Sequence, residues 1–115
     1  MLISSDYPYV QVQITIRTYR SVFRALVDTG FDGHVILPES LGEQLGKPDY
    51  LSKSWLADST ERDTPEYQGG VEIVGLNITF LGRMTLLGNE CLIGQEIIKR
   101  LKVTFDHGNQ MILEL

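Results

Sequence analysis

Among the side chains able to do chemistry, one carboxylate is set apart by its neighbours. Asp28 follows the apolar run Ala25-Leu26-Val27 and precedes Thr29-Gly30. An acid at the end of such a run is expected to be partly desolvated and held in one place, as proton transfer to a bound molecule requires. Two plainer readings stand beside this one. Asp28 caps a turn, as Asp and Gly commonly do, or it is a buried carboxylate satisfied by backbone amides. The remaining aspartates, Asp6, Asp32, Asp49, Asp58, Asp63 and Asp106, fall in polar or turn-like stretches. Neither of the two histidines, His34 and His107, has a Cys, His or carboxylate at a familiar metal-ligand spacing. No metal is therefore expected. His107 reads as a turn residue, and His34 as a structural or exposed residue close enough to Asp28 to touch a bound molecule. No serine or cysteine sits in a recognisable nucleophile motif. The lone Cys91, in Cys91-Leu92-Ile93, has no internal disulfide partner and reads as a small core hydrophobe.

The elements that must position Asp28 are legible as strands. Val10, Val12, Ile14 and Ile16 alternate with Gln11, Gln13, Thr15 and Arg17, the period of a half-buried strand. After the polar stretch 17–21, the run Val22 to Val27 returns as its antiparallel partner and stops at Asp28. A short strand follows at Val35-Ile36-Leu37, then a helix from Pro38 to Leu45 with Gly46 as its stop. Leu51 to Ala57 and Thr64 to Tyr67 flank the polar segment 58–63 as a hairpin with an exposed tip. Gly69-Gly70 is expected to bend the chain before Val71 to Val74. One strand is expected through Leu76, Ile78 and Phe80, and another over Met84 to Leu87. Cys91-Leu92-Ile93 closes on Gly94, and a helix is expected over Gln95 to Lys102, with its basic residues near its end. Val103 to Phe105, a turn at His107-Gly108-Asn109, and Met111 to Leu115 complete a mostly-β fold of seven or more short strands and two small helices.

Bulk properties narrow the classes of function. The 115 residues fit one domain spanning 1–115, and 43% hydrophobic with 22% charged residues is an ordinary globular balance. No apolar run approaches the ~20 residues of a membrane-crossing helix, and residues 1–6 lack the basic and apolar regions of a signal peptide. A cytoplasmic protein without membrane partners is the simplest expectation. The net charge of −5 and the absence of a basic cluster beyond residues 99–102 argue against nucleic-acid binding.

The order of these motifs carries a resemblance. Ala25-Leu26-Val27-Asp28-Thr29-Gly30-Phe31 and, over sixty positions later, Leu92-Ile93-Gly94-Gln95-Glu96-Ile97-Ile98 resemble the retropepsin-like single-domain aspartic proteases, in particular a microbial subgroup marked by Asp-Thr-Gly-Phe. Leu56-Ala57-Asp58-Ser59 is a weaker match at the expected flap turn. The match covers roughly residues 8 to 115. It implies a closed β-barrel with a flap hairpin and one or two short helices. It also implies that Asp28 is the catalytic carboxylate, that Thr29 braces the loop across a dimer axis, and that Gly30 lets backbone approach the substrate. Gly94 would let the following helix pack closely behind. Phe31, Asp32, Leu56, Ala57, Asp58 and Ser59 would meet a peptide or protein substrate. The chemistry of such enzymes needs two carboxylates sharing one proton, and the resemblance implies no metal and no organic cofactor. This chain holds a single Asp-Thr-Gly, so the resemblance implies a homodimer with Asp28 facing its own copy.

Departures from the better-known retroviral enzymes open an alternative. Phe31 stands where alanine or serine is usual and should narrow the cleft. Gln95 replaces an arginine that normally pairs with an aspartate at the place of Asp32, and the flap tip has no glycine. The expected function is an aspartic endopeptidase. The alternative is a non-catalytic dimeric module that binds an extended peptide by β-addition.

Overall fold

The computed structural model describes residues 1–55 and 61–115. A short first strand, β1 (Leu2–Ser4), precedes the hairpin of β2 (Tyr9–Ile16) and β3 (Tyr19–Val27). Then come β4 (Val35–Leu37), a 3-10 turn at Glu39–Leu41 running into α1 (Gly42–Leu45), and the long hairpin of β5 (Tyr50–Trp55) and β6 (Glu61–Ile73). The chain continues through β7 (Ile78–Leu86), β8 (Cys91–Ile93), α2 (Gln95–Ile98), β9 (Lys102–Asp106) and β10 (Gln110–Glu114).

Six of these strands close into a barrel. Their order is β2-β3-β8-β4-β7-β6, and β6 returns to β2 through Val12↔Ile73 to Thr15↔Gly70. Closure removes the free edges that an open sheet of this size would present. The expected period in β2 is observed, with Val10, Val12, Ile14 and Ile16 buried. They meet Val35, Leu37, Val71, Ile73, Met84 and Ile93 in one core. Each fully buried aliphatic side chain contributes about 1.5–3 kcal/mol, so the barrel interior is the main source of stability. A smaller sheet, β1-β10-β9, lays Met111 and Leu113 on the same core. At the β2–β3 turn Arg17 takes a φ of 55°. Its guanidinium bonds Leu45 O at 3.1 Å and Asp49 Oδ1 at 2.7 Å, which ties the strained turn to the segment after α1.

Three sequence expectations need correction. The chain does not bend out of its strand at Gly69-Gly70, since β6 runs unbroken through both. A Cβ on Gly69 would stand 2.6 Å from Thr15 O, so this glycine serves the close approach of β2 to β6. Nor do Phe80 and Met84 belong to separate strands, because β7 is continuous through Gly82, which pairs with Gly69. Finally, the helix after Gly94 is one turn, Gln95–Ile98, and Lys102 already opens β9. The β-branched pair Val103-Thr104 favours a strand there, and β10 supplies the partner. The dipole argument for Lys102 falls with that helix. The edge strand β1 gave no sequence signal, as its three residues depend on distant Leu113 and Met111 for pairing.

Candidate active site

Asp28 is placed by a crossover. β3 and β4 both pair with β8, β3 in parallel and β4 antiparallel, so the segment 28–34 joining them must arch over the end of β8. The arch is pinned on both sides. Asp28 N–H donates to Ile93 O at 2.9 Å, and Gly94 N–H donates to His34 O at 2.9 Å. Below Asp28, Val27 N–H donates to Pro8 O at 3.0 Å. The half-buried carboxylate closes a local turn by accepting Gly30 N–H on Oδ1 at 2.9 Å. Its Oδ2 has no hydrogen-bond partner among the described residues. One of the plainer sequence readings, a turn-capping aspartate, is thus part of the geometry, and it leaves the second oxygen open for chemistry.

Gly94 is the position the arch cannot do without. A Cβ there would stand 2.4 Å from Phe31 Cδ2 and 2.6 Å from both Phe31 O and Gly33 O. Gly33 is less strictly required, since a Cβ on it would meet only the Phe31 ring, 2.6 Å from Cζ, and a ring can turn where backbone cannot. The Phe31 ring therefore lies against both glycines. α2 begins directly beneath, where Gln95 N–H donates to Phe31 O at 2.8 Å and Glu96 N–H to Gly33 O at 3.1 Å.

Gln95 supplies a contact that sequence reading treated only as a missing ion pair. Its side-chain Nε2 donates to Thr29 O at 2.8 Å, bracing the arch from behind. Asp32 is exposed and has no side-chain partner among the described residues. Thr29 is exposed, and its hydroxyl likewise has none. Gly30 is exposed beside Asp28. Leu56, Ala57, Asp58 and Ser59 lie outside the described residues, whereas the base of their hairpin is fixed by the pairing Tyr50↔Glu66 through Trp55↔Glu61.

Further groups surround the arch. The His34 imidazole is half-buried against Gly82. Burial pushes its pKa below the ordinary histidine value, Glu96 raises it in part, and Arg100, Arg83 and Lys99 lower it further. Sequence reading missed a chain of contacts flanking β3. Arg24 pairs with Asp6 at 2.6 Å and stacks 3.4 Å over the Tyr9 ring, whose hydroxyl donates to Glu90 Oε1 at 3.0 Å. The β2–β3 register, with Tyr9↔Leu26 and Gln11↔Arg24, was the signal that placed Arg24 diagonal to Tyr9. A surface hollow of about 420 Å³ is lined by none of the arch residues, and one of about 370 Å³ is lined by His34 of the arch with Gln68, Leu81, Gly82 and Arg83. Among the described residues no group of three or more His, Cys, Asp or Glu is arranged to hold a metal ion, and no helix is long and apolar enough to cross a membrane.

Comparison with solved structures defines the class of fold. The chain is similar to a retropepsin-like aspartic protease from Rickettsia conorii, with a TM-score of 0.66 and 19% sequence identity over 97% of this chain and 88% of that one. No family model and no curated protein matches the sequence. The fold is therefore retropepsin-like, the fold that the Asp28 and Gly94 motifs led us to expect.

Proposed function

We propose that the chain is one half of a dimeric aspartic endopeptidase, with Asp28 facing Asp28 of a second copy. The observation that carries the reading is the pinned arch, which holds one half-buried carboxylate oxygen without a partner at the crossover of a retropepsin-like barrel. Two such carboxylates within hydrogen-bond reach share one proton. The ionised member takes a proton from a water as its oxygen attacks the scissile carbonyl carbon. The protonated member gives its proton to the carbonyl oxygen, forming a tetrahedral diol. Collapse of the diol returns the C=O, breaks the C–N bond and sends a proton to the leaving nitrogen. Thr29 and Gly30 shape the loop, with Gln95 and Gly94 supporting it from below. Phe31, Asp32 and the hairpin residues Leu56 to Ser59 meet an extended peptide. The buried lone Cys91 suits a reducing compartment, and we place the protein in the cytoplasm on that ground.

The test is hydrolysis of a peptide library at pH ~4–7, the range in which such pairs change protonation. Asp28→Asn should lower the rate by at least about 10²–10⁴-fold, the share that positioned proton transfer contributes. Cleavage by that variant at the parental rate overturns the proposal. A second reading, peptide binding without turnover, is favoured by one observation: Gln95 bonds Thr29 O and leaves Asp32 without its usual partner type. Peptide binding by the parent protein with no hydrolysis across the same pH range decides for it.

A further inference from the structure

The outer face of the barrel carries a hollow of about 420 Å³ at the seam where β6 returns to β2, a volume in the range of small-molecule sites. Paired residues of neighbouring strands share a face, so the register lays out the lining in two rows. Arg20, Thr15, Gly70 and Leu81 stand side by side on β3, β2, β6 and β7, and Glu72 and Thr79 form part of the next row on β6 and β7. We propose that this hollow binds a short peptide as a zwitterion, its terminal carboxylate on Arg20 and its terminal ammonium on Glu72. The site stands apart from the peptidase reading, since none of these residues belongs to the Asp28 arch.

Three observations point to a ligand. The first is Gly70. A glycine inside a strand weakens it, and Gly69 has its reason in the Thr15 carbonyl, 2.6 Å from where its Cβ would stand. A Cβ on Gly70 would meet only Thr79 Cγ2 at 3.4 Å and Phe80 O at 4.0 Å. Packing does not exclude a side chain there, and its absence forms the floor of the hollow, where a bound molecule can approach backbone. The second is the pair of charges. Arg20 and Glu72 are the lone cation and the lone anion of the lining, and neither has a hydrogen-bond or ion-pair partner among the described residues. A molecule carrying both charges suits such a lining better than a simple anion or cation. Two strands across and two residues along separate the two Cα atoms by roughly 12 Å. A single amino acid holds both charges on one carbon, too close together for that span, whereas an extended di- or tripeptide covers roughly 7–10 Å. The third is Leu81, 78% exposed and set beside the charges as an apolar wall for a peptide side chain. The Thr15 and Thr79 hydroxyls, also without partners among the described residues, stand ready for the peptide group.

The place of the hollow gives binding a structural consequence. The ladder that closes the barrel has only four residue pairs, Val12↔Ile73 to Thr15↔Gly70. A ligand held by Arg20 of β3 and Glu72 of β6 spans this seam and adds a bridge outside the ladder. Because the two charges meet only in the closed barrel, the ligand stabilises the folded chain by mass action.

The probe is the dipeptide alanyl-leucine, titrated into the protein while backbone amide shifts are followed by NMR. The amides of Thr15, Gly70 and Glu72 should move together and saturate with a dissociation constant of about 1 mM or below. The C-terminally amidated and the N-acetylated dipeptide should each bind about tenfold more weakly, the effect of one lost charge-assisted hydrogen bond. Free leucine should also bind more weakly than the dipeptide. Arg20→Gln should weaken alanyl-leucine by the same factor and leave its C-terminal amide unaffected, and Glu72→Gln should do so with the N-acetyl form. Gly70→Val should abolish the shifts by filling the floor, with a urea midpoint that shows a folded barrel. Saturating dipeptide should slow hydrogen exchange of the seam amides. Shifts that fail to saturate by ~10 mM, ten times the weakest affinity expected, overturn the site. So do blocked peptides that bind as well as the free one, or a response that survives Gly70→Val. Free leucine binding as tightly as the dipeptide overturns the peptide assignment. None of these measurements uses hydrolysis, so their failure leaves the Asp28 reading standing.

Discussion

A methyl group on Gly94 would press on Phe31 Cδ2 at 2.4 Å and on two carbonyl oxygens at 2.6 Å. Two of those three atoms are backbone, so relief requires the arch itself to move. Gly94→Ala should therefore cost about 2–3 kcal/mol, the upper part of the range for overpacking, and displace Asp28 as well. Gly70 provides the contrast. A Cβ there finds Thr79 Cγ2 at 3.4 Å and Phe80 O at 4.0 Å, ordinary contact distances, and Gly70→Ala should stay within about 1 kcal/mol of the parent. Urea midpoints for the two variants check the pair, and equal midpoints reject the argument. His34 gives a pH signature at the same scale. Its pKa is depressed by burial, against the opposing pull of Glu96 and with Arg100, Arg83 and Lys99 reinforcing it. The unfolded chain accepts a proton near pH 6.5 that the folded chain resists, so the unfolded state binds more protons just below that pH. Stability then falls as the solution is acidified from about pH 6.5 toward the folded value and is restored above it. His34→Gln should flatten that segment of a stability–pH curve measured by urea unfolding between pH ~5 and ~7.5. An unchanged slope would show that His34 is not the source.

At the scale of elements, the root of the β5–β6 hairpin is clamped by one carboxylate. Glu66 is 9% exposed and accepts from Ser52 Oγ, from Thr85 Oγ1 at 2.9 Å and from Arg83 Nη1 at 3.4 Å. It thereby ties β5, β6 and β7 together where the hairpin leaves the barrel. Glu66→Ala strands these donors, and should cost about 2–3 kcal/mol, as loss of one partner of a buried polar group does. Hydrogen exchange of β5 amides should accelerate with it, and protection equal to the parent's would refute the clamp. How far such elements were legible depended on whether their cause was local. The β2–β3 hairpin was readable because alternation is written in the strand itself, and Asp28 and Gly94 because a carboxylate or a glycine directly after an apolar run is conspicuous. Gly69 and Gly70 read as breakers because the Thr15 carbonyl that accounts for Gly69 comes from a strand far away in sequence. The extent of α2 was overread because Ile97, Ile98 and Leu101 imitate a helical face, whereas β10 draws residue 102 into a sheet. The brace from Gln95 to Thr29 O could not be read at all, since an amide meeting a carbonyl depends on the path of the arch.

For the whole molecule, the proposed function makes catalysis the property of a pair of chains. If each active site takes one carboxylate from each copy, an inactive chain poisons its partner. Mixing parent and Asp28→Asn chains in equal amounts, followed by exchange, should leave about a quarter of all dimers with two aspartates, because association is isologous and indifferent to the substitution. Hydrolysis per parental chain then drops to about half, and falls further in proportion as the variant is added in excess. A site complete within one chain behaves differently, since its rate would be unaffected by any excess of Asp28→Asn. Undiminished parental hydrolysis in a many-fold excess of Asp28→Asn, under conditions where sedimentation shows exchange, would rule out a catalytic pair shared between chains.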